Sequence, residues 1–354
     1  MEGEPANIAC VQYGAKEHLP SSTTCTDSLG NPHGAKPWRL NKGHGLTSTS
    51  SHWRSWLPFY LVLALIWGFS FYFIKIGLEM FTPVGVAFGR IAFGAVTLVI
   101  LSLITKTPLP PKWSWKYLFV TSLLWVSIPW MLFAFGETRV SSALAGVING
   151  ATPLMTLLAI LIAFPEEKPT RQRIIGLGIG FLGVLVVVGV WHMGGNNDVL
   201  GILALIAAIT CYGIAFPFVR RYLTGPSVRE PVKPVSMAMG MMIWGLVITA
   251  PISAFTGVTN APFQLGPFLA VAALGILGSG LAYVLSFKVV IASDATTAST
   301  VTYLTPLVAI IVGALLLDEH ITWNQPLGGL LIVLGAAIAQ GVISGRMGLW
   351  QKTP

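Results

Sequence analysis

Acidic residues are scarce in this chain: 13 Asp and Glu stand among 354 residues, and even with 21 Lys and Arg the charged share is only 10%. A water-soluble domain devotes roughly a quarter of its residues to charge, so this chain lacks the means to cover a solvent-facing surface. Cysteine is nearly absent as well. Cys10, Cys25 and Cys211 give no spacing for a disulfide framework or a zinc site, and Cys211 falls inside an apolar run. Of six histidines, His18, His33, His44 and His52 lie near the N-terminus, and the carboxylates are scattered. Neither set forms the cluster that metal or hydrolytic chemistry requires. A Gly-rich phosphate loop, a nucleophile elbow and a zinc-protease helix are all missing, which excludes an active ATPase.

What the chain has instead is apolar mass, 54% hydrophobic residues with a mean hydropathy of +0.74. It is gathered into ten runs, at about 57–78, 83–104, 117–135, 141–162, 171–190, 199–219, 235–255, 267–287, 294–316 and 326–344. Each approaches the ~20 residues that a helix needs to cross a hydrocarbon core about 30 Å thick. The sequence therefore predicts an all-α polytopic membrane protein with ten transmembrane helices. Residues 1–55, rich in Ser, Thr, Gly, Pro and His and without apolar period, read as a disordered tail. Residues 345–354 read as a short C-terminal tail.

The runs repeat. Ala134 to Gly189 returns about 150 residues later as Ser286 to Gly341: Pro153 matches Pro306, and Glu166-Glu167 matches Asp318-Glu319. One residue of slippage on, Gly176 and Gly183 match Gly328 and Gly335, while Trp67-Gly68 and Lys75 match Tyr212-Gly213 and Arg220. The chain is thus expected to hold two five-helix repeats, 57–190 and 199–344. An odd number of spans per half makes the second enter the membrane from the opposite side, so the repeats are inverted.

Basic residues set the orientation. If the N-terminus is cytoplasmic, eighteen of the 21 Lys and Arg fall on the cytoplasmic side, leaving Lys75 and Arg139 outside and Arg90 within the second helix. The positive-inside rule then places both termini in the cytoplasm. The same placement accounts for the formal net charge of +8 through topology rather than through nucleic acid.

Few polar residues lie within the spans, which makes each a candidate. Lys75 shares a helical stripe with Gly68, Tyr72 and Glu79. It either snorkels to the outer headgroups beside Glu79 or attracts an anionic substrate group at the outer mouth. Arg90, seven residues beyond Pro83, lies roughly 10 Å below the outer edge at about 1.5 Å per residue. Against lipid it would cost on the order of 2–3 kcal/mol, so it is expected to face the interior, as a substrate contact, a gate, or a tie to Glu137. Gly85, Gly89 and Gly94 leave room for a neighbouring helix beside it.

Pro153 and Pro306 are placed near the middle of their helices, where a proline frees the carbonyls of Asn149 and Thr302, beside Thr152 and Thr305. Such carbonyls must face protein or a wet cavity, so these kinks either shape a central site or are packing features. Trp67, Trp130, Tyr212, Tyr283 and Tyr303 are the aromatic candidates for lining that site. The glycines at 176, 180, 183, 328 and 335 read as close helix contacts. No carboxylate is placed deep in a span, since Glu79, Glu137 and Asp294 fall at helix ends; Glu137 is the one that its helix could carry below the outer surface, within reach of Arg90 and Arg139.

Taken together, Trp67-Gly68 with Lys75, Pro83 with Arg90, and the Pro153 and Pro306 helices with their acidic ends and Gly-rich followers resemble the drug/metabolite transporter superfamily, in its ten-helix EamA-type branch. The resemblance covers about 57–344. It implies a central substrate cavity lined by both halves, outer support from helices five and ten, no bound cofactor, and a carrier of the cytoplasmic membrane, often an exporter of amino acids or related metabolites.

Three functions compete. The first is a secondary carrier of small polar metabolites working by alternating access. The second is a proton-driven exporter of lipophilic cations, disfavoured by the lack of a deep carboxylate. The third, a membrane-embedded enzyme acting on lipid-linked substrates, is disfavoured by the scattered acids, so no catalysis is expected. The expected partners are a small-molecule substrate and the lipid bilayer, with a homodimer left open and nucleic acid excluded.

Overall fold

In the computed structural model the chain divides into two compact units, Met1–His52 and Trp53–Pro354. The described residues are 9–11, 24–26, 53–163, 171–188, 198–224, 228, 230–286, 301 and 304–339. In the first unit β1 (Ala9–Val11) pairs antiparallel with β2 (Thr24–Thr26), Cys10 opposite Cys25. The β-branched Val11, Thr24 and Thr26 suit such pairing, so a stretch without apolar period still carries a short ladder.

The second unit is helical. Its first helices are α1 (Trp53–Gly77), α2 (Pro83–Thr105), α3 (Trp115–Ser122), α4 (Ile128–Glu137), α5 (Ser142–Asn149), α6 (Thr152–Ala163) and α7 (Arg171–Val188). The later ones are α8 (Val199–Val219), α9 (Pro234–Thr256), α10 (Leu265–Gly275), α11 (Thr305–Leu316) and α12 (Asn324–Ala339). A π-wound stretch, Leu123–Ser127, joins α3 to α4 in one rod, and a second, Ile276–Leu281, extends α10. Among the described residues seven helical segments are long and apolar enough to cross a membrane: Leu57–Gly77, Pro83–Thr105, Lys112–Glu137, Ser142–Ala159, Val199–Thr224, Pro234–Thr256 and Leu265–Ser286. Within the other three predicted spans lie α7, α11 and α12, which are not among the seven. The start of the 294–316 run and the chain beyond 339 lie outside the described residues. Large apolar side chains such as Leu103, Ile104, Ile162 and Leu315 stand exposed on the outer faces. That suits lipid as the solvent, and the fold is an all-α, multi-pass membrane protein.

Local chemistry starts the helices where the site needs them. Thr82 caps α2, its Oγ1 accepting from the Gly85 N–H at 2.9 Å, and Pro83 sits in the first turn, where a missing N–H costs nothing. Ser141 caps α5 by accepting from the Leu144 N–H, and Asp198 caps α8 by accepting from the N–H groups of Leu200 and Gly201.

Glycines set the closest approaches. A Cβ on Gly183 would lie 2.8 Å from the Gly328 carbonyl, and one on Gly335 would lie 2.6 Å from the Gly176 carbonyl, so α7 and α12 pack backbone to backbone, as the glycine spacing predicted. Helices in contact recur in related couples. α1 meets α11 as α8 meets α6, α1 meets α10 as α8 meets α4, and α2 meets α10 as α9 meets α3. Each helix of the couples α2/α9 and α7/α12 also meets its own counterpart.

Candidate functional site

Arg90 is the centre of the polar interior. α2 carries it seven residues beyond Pro83, and small residues let α10 close on it: a Cβ on Gly275 would lie 2.8 Å from the Arg90 carbonyl, and one on Gly94 would lie 3.0 Å from Ser279. The π-wound turn then brings the fully buried Ser279 into reach, and Arg90 Nε donates to its Oγ at 3.1 Å. The guanidinium carbon stands 3.9 Å from the centre of the Trp130 ring, with Trp130 itself buried. A desolvated contact of this kind contributes about 2 kcal/mol. Tyr212, Tyr283 and Glu137 lie within electrostatic reach of the same guanidinium. Tyr212 stacks on Phe133 at 5.9 Å between ring centres. Nε is the guanidinium donor that bonds to protein among the described residues, so other donors of this planar cation remain for a carboxylate or phosphate.

The interior is thus brought together from α2, α4, α8 and the extension of α10. Of the residues the sequence singled out, Arg90, Trp130, Tyr212 and Tyr283 gather here. Trp67 does not: it packs with Leu63, Ala282, Leu285 and Val301. Thr302 and Tyr303 lie outside the described residues. Sequence reasoning missed Ser279, and it missed Ser127, whose buried hydroxyl has no partner among the described residues. The residue pattern carries no signal for either. Leu123 and Ile276, where two of the three π-wound turns among the described residues begin, stand at the same separation as Pro153 and Pro306, the third being Arg220–Thr224 at the end of α8, and π-wound turns collect at functional positions.

The kinks differ in detail from expectation. Pro153 falls inside the spanning segment Ser142–Ala159, just past its break between α5 and α6, and stands in the first turn of α6; Pro306 stands in the first turn of α11, and residues 302–303 before it lie outside the described residues. The Asn149 carbonyl is not free either, because Thr152 Oγ1 donates to it at 2.7 Å. Proline removes one N–H and the neighbouring threonine supplies another donor. The two proline regions meet, since a Cβ on Gly150 would lie 2.6 Å from Pro306 Cγ.

At one end of the bundle, contacts tie the connections together. Lys75 Nζ donates to the carbonyls of Glu137 at 2.8 Å and Val140 at 3.2 Å, rather than pairing with the exposed Glu79. Glu319 accepts from the N–H groups of Ser142 at 2.7 Å and Ala143 at 2.9 Å, placing an anion on the positive end of α5. Thr82 N–H donates to the Val258 carbonyl, and Asn260 N–H donates to that of Met80. Arg139 and Asp198 form an ion pair at 2.7 Å. The hydrogen bond from Arg139, reinforced by the Gly201 and Leu200 N–H groups, holds the Asp198 carboxyl below its ordinary range.

Glu137 departs most from expectation. It does end a helix, yet it is fully buried rather than solvated, because α8 closes over this turn: a Cβ on the preceding Gly136 would lie 2.7 Å from Leu205. Among the described residues no group of three or more His, Cys, Asp and Glu could hold a metal ion.

The model of the EamA-like transporter family matches this chain twice, over residues 54–189 and 199–340. The chain belongs to the EamA-like transporter family. Its similarity to curated relatives is spread over most of their length. It is 24% identical over 285 residues to an uncharacterised transporter of Archaeoglobus fulgidus, covering 79% of this chain and 97% of that one. It is 26% identical to protein PagO of Salmonella typhimurium, covering 71% and 81%. It is also 26% identical to the uncharacterised inner membrane transporter YedA of Escherichia coli, covering 73% and 83%. A crystal structure at 18% identity superposes with a TM-score of 0.58 over 82% of this chain and 98% of its own, and shows the fold alone. An EamA-like chain with an arginine inside its bundle is a membrane transporter.

Proposed function

We propose that this EamA-like protein is a secondary carrier of the cytoplasmic membrane that exports small polar metabolites, amino-acid-like or related, by alternating access, without catalysis and without a cofactor. The observation that carries the reading is Arg90: a guanidinium inside the bundle, steadied by Ser279 and Trp130, whose remaining donors suit an anionic or zwitterionic substrate. Tyr212 and Tyr283 complete the aromatic lining beside it. Arg90, Trp130, Tyr212 and Tyr283 come from both of the matched regions, as a site between two moving halves requires.

In this reading the halves are inverted, and both termini lie in the cytoplasm. The end tied by Lys75, Glu319 and the Thr82–Val258 pairing is then the outer one, closed. Lys75 meets the substrate when those ties part. Asn149 and Thr152 flank the path, and Pro153 and Pro306 fix the ends of the segments that move.

The test is counterflow. Proteoliposomes of the purified protein, preloaded with mixed amino acids, are offered radiolabelled amino acids, sugars and nucleosides one at a time. A carboxylate-bearing member of the panel should exchange, and Arg90→Gln should slow that exchange by about tenfold or more, the loss expected for one charged hydrogen bond. Exchange confined to neutral or cationic compounds, at equal rates in both proteins, would sink the reading.

A further inference from the structure

Glu137 lies at the end of α4 with an exposure of 0%, and neither carboxylate oxygen has a hydrogen-bond partner among the described residues. Three charged groups are near enough to act on it: Lys75 from α1, Arg90 from α2, and Glu319 beyond α11. Each makes its hydrogen bonds elsewhere. Lys75 donates to the backbone carbonyls of Glu137 and Val140, Arg90 donates to Ser279, and Glu319 takes up the N–H groups of Ser142 and Ala143. On the α8 side the cover is apolar, with Leu205 against the turn that holds Glu137.

An ionised carboxylate buried without a partner costs several kcal/mol even after the surroundings relax. Protein structures pair such groups or bind a cation to them. The surrounding charge is too balanced to expel a small cation, because Lys75 and Arg90 repel it while Glu319 and the carboxylate itself attract it. Access is also conditional. The Lys75 bonds to the Glu137 and Val140 carbonyls and the Glu319 cap on α5 close this end of the bundle over the carboxylate, so opening the end exposes it.

We propose that Glu137 is the coupling-cation site of this carrier, a buried carboxylate completed by one monovalent cation, H+ or Na+, taken up when the tied end opens and held when it closes. The word coupling rests on the carrier reading above; the binding of the cation does not. This changes the weight of the carboxylate argument from sequence, which counted no deep acid, while leaving Arg90 as the group that selects a polar substrate.

The test uses the purified full-length protein and needs no substrate, so failure of the metabolite screen and failure of this proposal are separate results. In the first arm, thermal stability is followed as NaCl replaces N-methylglucamine chloride at constant ionic strength. In the second, infrared difference spectra at neutral pH are searched for the C=O stretch of a protonated carboxyl. Sodium predicts a saturable rise in Tm that Glu137→Gln abolishes. A proton predicts no sodium response and a carboxyl band that Glu137→Gln removes. Glu137→Asp keeps the carboxyl and should shift the band or weaken the sodium response, which covers the case of a poorly folding amide variant. A wild-type protein with neither signal overturns the proposal, as does a signal that persists unchanged in Glu137→Gln.

Discussion

Trp130 and Tyr283 occupy corresponding places on two π-wound rods, at the same separation as Pro153 and Pro306, and both act on the Arg90 guanidinium. Trp130 follows the Leu123–Ser127 turn on α4, and Tyr283 follows the Ile276–Leu281 turn beyond α10. One arginine is therefore flanked by a related pair of aromatic side chains, one from each matched half. A duplicated scaffold has been used to build an asymmetric centre, since α9 carries no arginine to mirror Arg90.

That arrangement makes Trp130 a positioning residue for Arg90. Trp130→Phe keeps a ring beneath the guanidinium with a weaker face, while Trp130→Ala removes the ring and leaves a cavity. The alanine variant should lose about 3–5 kcal/mol of stability. The phenylalanine variant should stay close to wild type in Tm and show reduced apparent affinity in counterflow, because a cation–π contact of about 2 kcal/mol is weakened rather than lost. Unchanged affinity in Trp130→Phe would reduce the ring to packing.

Orientation gives a second prediction. The connections that the Lys and Arg count places outside are the ones that contacts join at one end: Lys75 with the α4–α5 turn, Glu319 with α5, Arg139 with Asp198, and Thr82 with Val258. Reporter fusions after Asn260 should read outside and fusions after Lys112 should read inside. An outside reading at Lys112 would defeat the assignment.

Much of the architecture was legible because hydropathy and glycine spacing act over whole helices. Ten apolar runs, the interior position of Arg90 and the contact of Gly183 with Gly328 all follow from patterns many residues long. Local reading failed where one hydrogen bond decides. Nothing in the order Asn149 to Pro153 says that the Thr152 hydroxyl satisfies the carbonyl left by proline. Nor does the sequence around Glu137 reveal that α8 covers it, since that burial depends on Leu205 nearly seventy residues on. The π-wound turns were the intermediate case: their common separation was present in the chain, but winding depends on packing against neighbours rather than on residue type.

The meeting of Gly150 with Pro306 yields the sharpest prediction, because it joins the two proline regions through one contact. A Cβ at residue 150 would lie 2.6 Å from Pro306 Cγ, closer than carbon atoms settle, and another of its neighbours is the Val147 carbonyl at 3.1 Å. Gly150 has ordinary right-handed helical angles, φ −59° and ψ −18°, so alanine there meets no backbone strain and the clash is purely one of space. Gly150→Ala should therefore destabilise the protein by about 1–3 kcal/mol, the usual cost of overfilling a packed interior. Pro306→Ala shortens the ring to a methyl group and opens the same space. Because Pro306 stands in the first turn of α11, where a backbone N–H has no partner within the helix, its loss should cost less than an interior change. The double variant Gly150→Ala with Pro306→Ala should then be more stable than the sum of the single losses by about 0.5–3 kcal/mol, the range seen for residues in contact. Thermal melts of the four proteins in one detergent measure this interaction. Strict additivity would mean that the α5–α6 turn and the start of α11 do not touch in the membrane, and the meeting of the two proline regions would have to be abandoned.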